Sequence, residues 1–420
     1  PYAKNYAHQL LKDGDTVAVG RVELTAPYTP GHTPESLSYL LTDKGGGADK
    51  PMGIFTGDFI FVGSIGRPGL LEQAAGMAGT AEPGARDLFR SMARFRELPD
   101  YLQVWPARGA GSACGKGLGA LPSSTVGYEK MFNPALQYTD EQEFVDYILA
   151  EQPEAPTYFA IMKRVNKEGP TILGKRRLPN KLKPAALGDL AARQMVIDVA
   201  PPSEFARSHV PHTINIPMKY LAAWAGWLVD YDEPVYVIAS AGDLTEAIRV
   251  LSKIGIEGIA GYFESNEVES ADLMTQSYVE VTPEEIAPRV ESGKVVLIDV
   301  RGKTEWEEMH IEQAQRCFLA DLPRKMAEFE GDCTLVFQCR TGGRSAIAAS
   351  IAQAAGAQSV LNLKGGISAW TGTGLPVLRD AEDLYGPNID ASTTAAASAG
   401  QAVFWNVRCP AREERAAANV

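Results

Sequence analysis

The sequence predicts a multidomain α/β protein, and three observations carry that prediction. The chain is 420 residues long, it repeats internally, and apolar strand-like runs alternate with helical ones. At roughly 100–200 residues per domain, the length accommodates two to four domains. The repeat sets Val196-Ile197-Asp198-Val199 against Leu297-Ile298-Asp299-Val300, an offset of 101 residues. The same offset pairs Glu204-Phe205 with Glu305-Trp306 and His209 with His310, and Ala247 faces Ala346 at an offset of 99. Each copy reads as a strand ending in Asp, a loop, an acidic–aromatic pair, a His, a second strand, a long helix, a third strand and a short helical turn. Strands alternating with helices in this way predict a parallel sheet.

The copies occupy residues 185–272 and 279–379. Residues 1–175 form a separate αβ unit, with strands predicted at Thr16–Leu24, Ser38–Leu41, Met52–Phe55 and Gln103–Pro106, and helices at Glu82–Glu97 and Asp140–Ala150. The basic, Pro-containing stretch 176–184 reads as a solvated linker. Residues 380–420, rich in Ala, Ser, Thr and Gly before a charged end, read as a disordered tail. Hydrophobic residues at 45% and charged ones at 22% are ordinary for a globular chain and exclude a collagen-like or wholly disordered one. A net charge of −12 argues against nucleic acid as the main partner. The longest uncharged stretch, Ser345 to Leu363, is too polar to span a bilayer, so no membrane segment is expected. Five Cys, odd in number and unevenly spaced, form no disulfide framework and fit a reducing, cytoplasmic setting. The first residue is Pro1, which gives the expectation of a processed chain or a fragment.

The second copy carries a candidate nucleophile. An apolar strand ends in Gln338-Cys339, the loop Arg340-Thr341-Gly342-Gly343 follows, and a helix is predicted to start near Arg344-Ser345. Loop N–H groups, a helix N-terminus and two guanidinium groups all favour negative charge on sulfur, and the glycines let the backbone wrap around it. Together with Asp299-Val300-Arg301 and Glu305-Trp306 upstream and Gly365-Gly366-Ile367-Ser368-Ala369-Trp370 downstream, this pattern resembles the rhodanese sulfurtransferases. The resemblance implies that Cys339 takes up a sulfane sulfur as a persulfide. Arg340 and Arg344 would assist it, and Thr341, Gly342, Gly343 and Ser345 would line the substrate cradle. It further implies small sulfur donors and acceptors: persulfide, thiosulfate, sulfite and low-molecular-weight thiols. The Cys-x4-Arg loop is shorter than the Cys-x5-Arg loop of related phosphatases, and residue 345 is Ser, which favours sulfur over phosphate chemistry. Cys317 and Cys333 read as ordinary half-buried thiols. In the first copy, the alignment of Ala247 with Ala346 sets Ser240 opposite Cys339, Asp243 opposite Gly342 and Thr245 opposite Arg344, which predicts an inactive rhodanese-like domain. His209 and His310 read as structural.

In the N-terminal unit, Thr29-Pro30-Gly31-His32 and Thr56-Gly57-Asp58 each place a metal-capable side chain just after a strand, 26 residues apart. With Ser64-Ile65-Gly66-Arg67-Pro68 and the loop bearing Cys114, they resemble the later part of the metallo-β-lactamase αββα sandwich, in particular persulfide dioxygenases fused to rhodanese domains. That resemblance implies His32 and Asp58 as ligands of Fe(II), with Zn as the alternative metal. It also implies a place for Cys114 near the substrate and a possible homodimer. The HxHxDH motif that supplies the family's first His does not occur in this chain, and Arg108 stands where the fold usually has a His, so the metal site is expected to be incomplete. Three readings follow. One is a sulfurtransferase acting through Cys339 in sulfide and persulfide detoxification. Another is a bifunctional iron dioxygenase–rhodanese, and the third is a non-enzymatic sulfur-relay or docking module.

Overall fold

The computed structural model describes residues 5–69, 79–107, 121–150, 156, 158–170, 178–327 and 333–379. Cys114, Arg108 and the tail 380–420 lie outside them. The chain divides into two compact units, Pro1–Ile172 and Leu173–Val420.

The first unit contains β1 (Asp15–Val19), β2 (Val22–Ala26), β3 (Tyr39–Asp43), β4 (Gly53–Gly57), β5 (Ile60–Phe61), β6 (Ser64–Ile65), α1 (Ala81–Arg96), β7 (Gln103–Pro106), β8 (Ser124–Thr125), α2 (Val126–Phe132), α3 (Glu141–Leu149) and α4 (Tyr158–Glu168). Six strands form one sheet in the order β1-β2-β3-β4-β7-β8. Its first four strands are an antiparallel meander, and β7 joins β4 in parallel. The stretch Thr16–Leu24, expected as one strand, is a hairpin. Val19 pairs with Val22, and Gly20 turns the chain at φ +62°. Helix α1 buries Ala85, Leu88, Ser91, Met92 and Phe95, a helical spacing that lays one stripe on the sheet residues Ile54 and Val104 and on Phe144 and Ile148 of α3.

The second unit holds two lobes. The first runs β9 (Asn180–Lys181), α5 (Leu187–Ala191), β10 (Met195–Asp198), α6 (Pro202–Arg207), β11 (Ile214–Asn215), α7 (Met218–Leu228), β12 (Val235–Ala239), α8 (Leu244–Lys253), β13 (Ile259–Glu264) and α9 (Ser265–Glu269). The second runs β14 (Val279–Val281), α10 (Pro283–Glu291), β15 (Val296–Asp299), α11 (Lys303–Glu308), β16 (Gln315–Arg316), α12 (Leu322–Ala327), β17 (Leu335–Gln338), α13 (Gly343–Ala354), β18 (Val360–Leu363) and α14 (Gly366–Gly372). Their sheets, β11-β10-β12-β13-β9 and β16-β15-β17-β18-β14, are parallel throughout and share one topology. Within the stretch read as linker, Asn180-Lys181 is the edge strand of the first sheet. Lys181 there forms ion pairs with Glu264 and Glu267.

Side chains alternate along these strands with period two. Ile197, Val235 and Val237 of the first lobe and Ile298, Leu335 and Phe337 of the second face one common core. Val196 and Ile238 face a separate cluster on the far side of the first sheet, and Leu297 and Val336 do so on the second. Helix α13 lies in the common core, with every residue from Ser345 to Gln353 buried. This location explains the long uncharged stretch: a helix wrapped on all sides has no solvent face to charge. Polar side chains tie the lobes across it. The Asn215 N–H donates to Ser350 Oγ at 3.0 Å, and Gln353 Nε2 donates to the Ser277 carbonyl at 2.8 Å. His209 stacks on Phe205 and His310 on Trp306, at 3.9 and 4.0 Å, and each ring donates from Nδ1 to the carbonyl of its stacking partner.

Candidate active site around Cys339

Cys339 follows β17 directly, and the loop after it turns into α13 at Gly342, which sits at φ +94°. That left-handed conformation suits glycine, and a side chain there would also crowd the Gly365 nitrogen at 3.0 Å. The Gly342 N–H donates to Cys339 Sγ at 3.2 Å. Ser345 Oγ lies 3.4 Å from Sγ and 3.1 Å from the Gly342 carbonyl, so its one proton serves one or the other. The sulfur therefore faces the N-terminal turn of a twelve-residue helix, where exposed N–H groups favour an anion. Cys339 is only 1% exposed. Arg340 and Thr341 stand exposed at the loop tip.

Arg344 makes a two-pronged pair with Glu305, at 2.6 and 2.7 Å. Burial pushes the Glu305 carboxyl upward, but the hydrogen bonds and charge of Arg344, with help from Arg301, bring it below its ordinary value. Burial likewise opposes the charge on Arg344, and Glu305 outweighs it, so this guanidinium is held firmly cationic. Beneath the loop, Asp299 and Arg301 form a fully buried pair at 2.6–3.0 Å, and Arg301 also donates to the Met309 carbonyl at 2.7 Å.

Two features of the loop were not anticipated. Helix α14 clamps it: Ile367 N–H donates to the Cys339 carbonyl and Ser368 N–H to that of Arg340, at 2.8 and 3.1 Å. A methyl on Gly366 would stand 2.1 Å from the Cys339 oxygen. The second feature is Tyr220 of α7, which packs against Gly343, where an added Cβ would meet its hydroxyl at 2.3 Å. The Gly365-Gly366 pair is visible in the sequence. The Tyr220 contact joins residues far apart in the chain and has no local signal. Elsewhere, burial pushes the Cys317 thiol up to about 12. Cys333, expected as a free thiol, is disulfide-bonded, and Cys317 and Cys339 are the free cysteines among the described residues.

Strand register corrects the alignment of the first lobe. Asp198 pairs with Ile238 as Asp299 pairs with Gln338, which sets Ala239, not Ser240, opposite Cys339. The helix caps Asp243 and Gly342 do correspond, so the first lobe's loop is one residue longer. Ser240 is tied into that turn: its hydroxyl donates to Asp243 at 2.7 Å and accepts from the Asp243 N–H at 3.1 Å.

In the first unit, His32 and Asp58 do come together, with Nε2 3.8 Å from the carboxylate. His32 Nδ1 donates to the Arg67 carbonyl at 2.8 Å, which turns the Nε2 edge of the ring toward Asp58. Close backbone approaches set this corner. A Cβ on Gly66 would strike the Asp58 carbonyl at 1.8 Å, and one on Gly31 would strike Leu88 of α1. Among the described residues no group of three or more His, Cys, Asp or Glu is placed to hold a metal ion, here or elsewhere. Two donors do not make the three-ligand site of a mononuclear iron or zinc centre, so the residues described do not fit a complete one.

Residues 282–373 match the rhodanese-like domain family. A sulfurtransferase from Allochromatium vinosum is 34% identical over 100 residues, covering 24% of this chain and 94% of that protein. The probable adenylyltransferase/sulfurtransferase MoeZ from Mycobacterium tuberculosis is 40% identical over 93 residues, which is 21% of this chain but only 24% of that relative's length. A solved metallo-beta-lactamase from Staphylococcus aureus is 38% identical, with a TM-score of 0.54 over 61% of this chain and 71% of its own. The fold and the Cys339 loop thus define a mixed α/β protein with metallo-β-lactamase-like and rhodanese-like domains. The chain belongs to the rhodanese family of sulfurtransferases. Among the described residues, no helix is long and apolar enough to cross a membrane.

Proposed function

We propose that the protein moves sulfane sulfur through a persulfide on Cys339, within the chemistry of sulfide and persulfide detoxification. The observation that carries this reading is the Gly342 N–H aimed at Cys339 Sγ from the first turn of α13. The Cys339 thiolate attacks the outer sulfur of thiosulfate, the donor S–S bond breaks, and sulfite leaves with the bonding pair. An acceptor thiolate or sulfite then attacks the terminal sulfur, and the Cys339 thiolate is released. Loop N–H groups hold the negative charge at both stages. Arg344, braced by Glu305, supplies fixed positive charge beside the loop. In this reading the first lobe is non-catalytic, since Ala239 stands at the nucleophile's position and Ser240 is spent in its turn.

The test is mass spectrometry after incubation with thiosulfate or glutathione persulfide. One added sulfur on Cys339 is expected, and activity should be lost in Cys339→Ser. An unmodified Cys339, with activity retained in the variant, would overturn the reading. Partner binding that survives Cys339→Ser, without any sulfur transfer by the parent chain, would favour a docking module instead.

A second reading, iron-dependent persulfide oxidation in the first unit, draws on His32 facing Asp58. Since two donors leave the centre incomplete, no step is derived from it. We expect substoichiometric iron by elemental analysis and no persulfide-dependent oxygen uptake by this chain; stoichiometric iron that His32→Ala removes would reverse that expectation.

A further inference from the structure

The two lobes share their carboxylates but not their cations. In the second lobe Asp299 holds the Arg301 guanidinium and Glu305 holds that of Arg344. In the first lobe the corresponding acids are Asp198 and Glu204, while Ala200 stands at the position of Arg301 and Thr245 at that of Arg344. Asp198 Oδ1 accepts from the Ala200 N–H at 2.9 Å, as Asp299 Oδ1 accepts from the Arg301 N–H at 3.0 Å. The other Asp198 oxygen receives no hydrogen bond among the described residues, although the residue is only 7% exposed.

A cavity of about 480 Å³ lies where the guanidinium would be, at the carboxyl end of the first sheet. Asp198 and Ser208 both line it. Ser208 is the counterpart of Met309, whose carbonyl receives the far end of Arg301 in the other lobe. Glu204, Asp243 and Glu269 also line it, against one cation, Arg207, whose Nε donates to the Ser203 carbonyl. Asp243 is engaged by Ser240. Phe205 and Met274 give the cavity apolar walls that suit an aliphatic stem.

We propose that this cavity binds a small organic cation of the guanidinium or alkylammonium class, with Asp198 as its anchor and Glu204 at its rim. A buried carboxylate without a counter-ion is costly, and the sister lobe displays the geometry in which a guanidinium satisfies it. The proposal uses no property of Cys339 and stands apart from the sulfur chemistry.

The experiment is calorimetric titration of the full chain at pH 8. One arm uses agmatine and the other N-acetylarginine amide, which separates a free small amine from an arginine side chain on a peptide backbone. The neutral isostere butylurea is the control. One saturable site for at least one cation is expected, with no binding of butylurea. Affinity should fall at least tenfold in Asp198→Asn and measurably in Glu204→Gln. Ala200→Arg, which supplies the missing guanidinium from within the chain, should abolish binding, with far-ultraviolet circular dichroism confirming that each variant is folded. No saturable binding of either cation, equal binding of butylurea, or unchanged affinity in folded Asp198→Asn and Ala200→Arg would overturn the proposal.

Discussion

Cys339 and Cys317 are both buried in one lobe, but the polar groups around their sulfurs differ. Burial holds Cys317 as a thiol, pushed up to about 12, while a backbone N–H is aimed at the sulfur of Cys339. Iodoacetamide at pH 8 is therefore expected to label Cys339 in the folded chain and to leave Cys317 unlabelled until denaturant is added; equal labelling in the native state would refute this. Asp198 supplies a pH-dependent counterpart. Burial, with Glu204 and Glu269 adding to it, pushes its carboxyl up to about 6 from an ordinary 3.8, against the Ala200 N–H. The folded chain thus holds this proton more tightly than the unfolded chain. Stability from this site is greatest below the ordinary value and declines as pH rises toward 6. Asp198→Asn should raise the melting temperature at pH 8 by a few degrees, on the order of 2 kcal/mol, and should gain nothing at pH 4. Melting curves at the two pH values decide it. Cys339 was legible in the sequence because its loop is local, with strand end, glycines and helix start within seven residues. Ala239 was not legible as its counterpart, because a one-residue difference in loop length shows only in the strand register.

Helix α14 shows how a short element fixes the loop of another. Its first N–H groups hold the Cys339 and Arg340 carbonyls, and the lack of a side chain on Gly366 makes that approach possible. Gly366→Ala should cost at least about 2 kcal/mol and most of the sulfur-transfer activity. Gly372→Ala, at the far end of the same helix with open space around it, should stay within about 0.5 kcal/mol of the parent. Denaturant titration and a thiosulfate assay of the pair test this, and matching losses in both would remove the clamp from the account. The helices Ala81–Arg96 and Glu141–Leu149 were readable from their apolar spacing. The β1–β2 hairpin was not, because its turn rests on Gly20 within an apolar stretch that reads equally well as one strand.

At the scale of the whole second unit, a single apolar core is built from both sheets, with α13 between them. Leu251→Ala, a fully buried change in the first lobe, is expected to cost about 2–4 kcal/mol. It should also lower amide protection at Phe337 in the second lobe together with that at Val237 in the first. Protection lost in the first lobe alone would show two independent folding units instead. The repeat predicted two similar sheets, but not that their inner faces meet, since periodicity reports which residues are buried and not against what. The wrapped helix also has a consequence for how this chain can vary. Residues of the first lobe that touch no sulfur still form part of the mould around α13. Its loops are free to change charge, whereas its inward-facing positions are held to a volume. Substitution libraries across the first lobe should therefore filter by side-chain size at positions such as Ile197 and Val237, and score as losses of an activity whose nucleophile, Cys339, lies far along the chain in the other lobe.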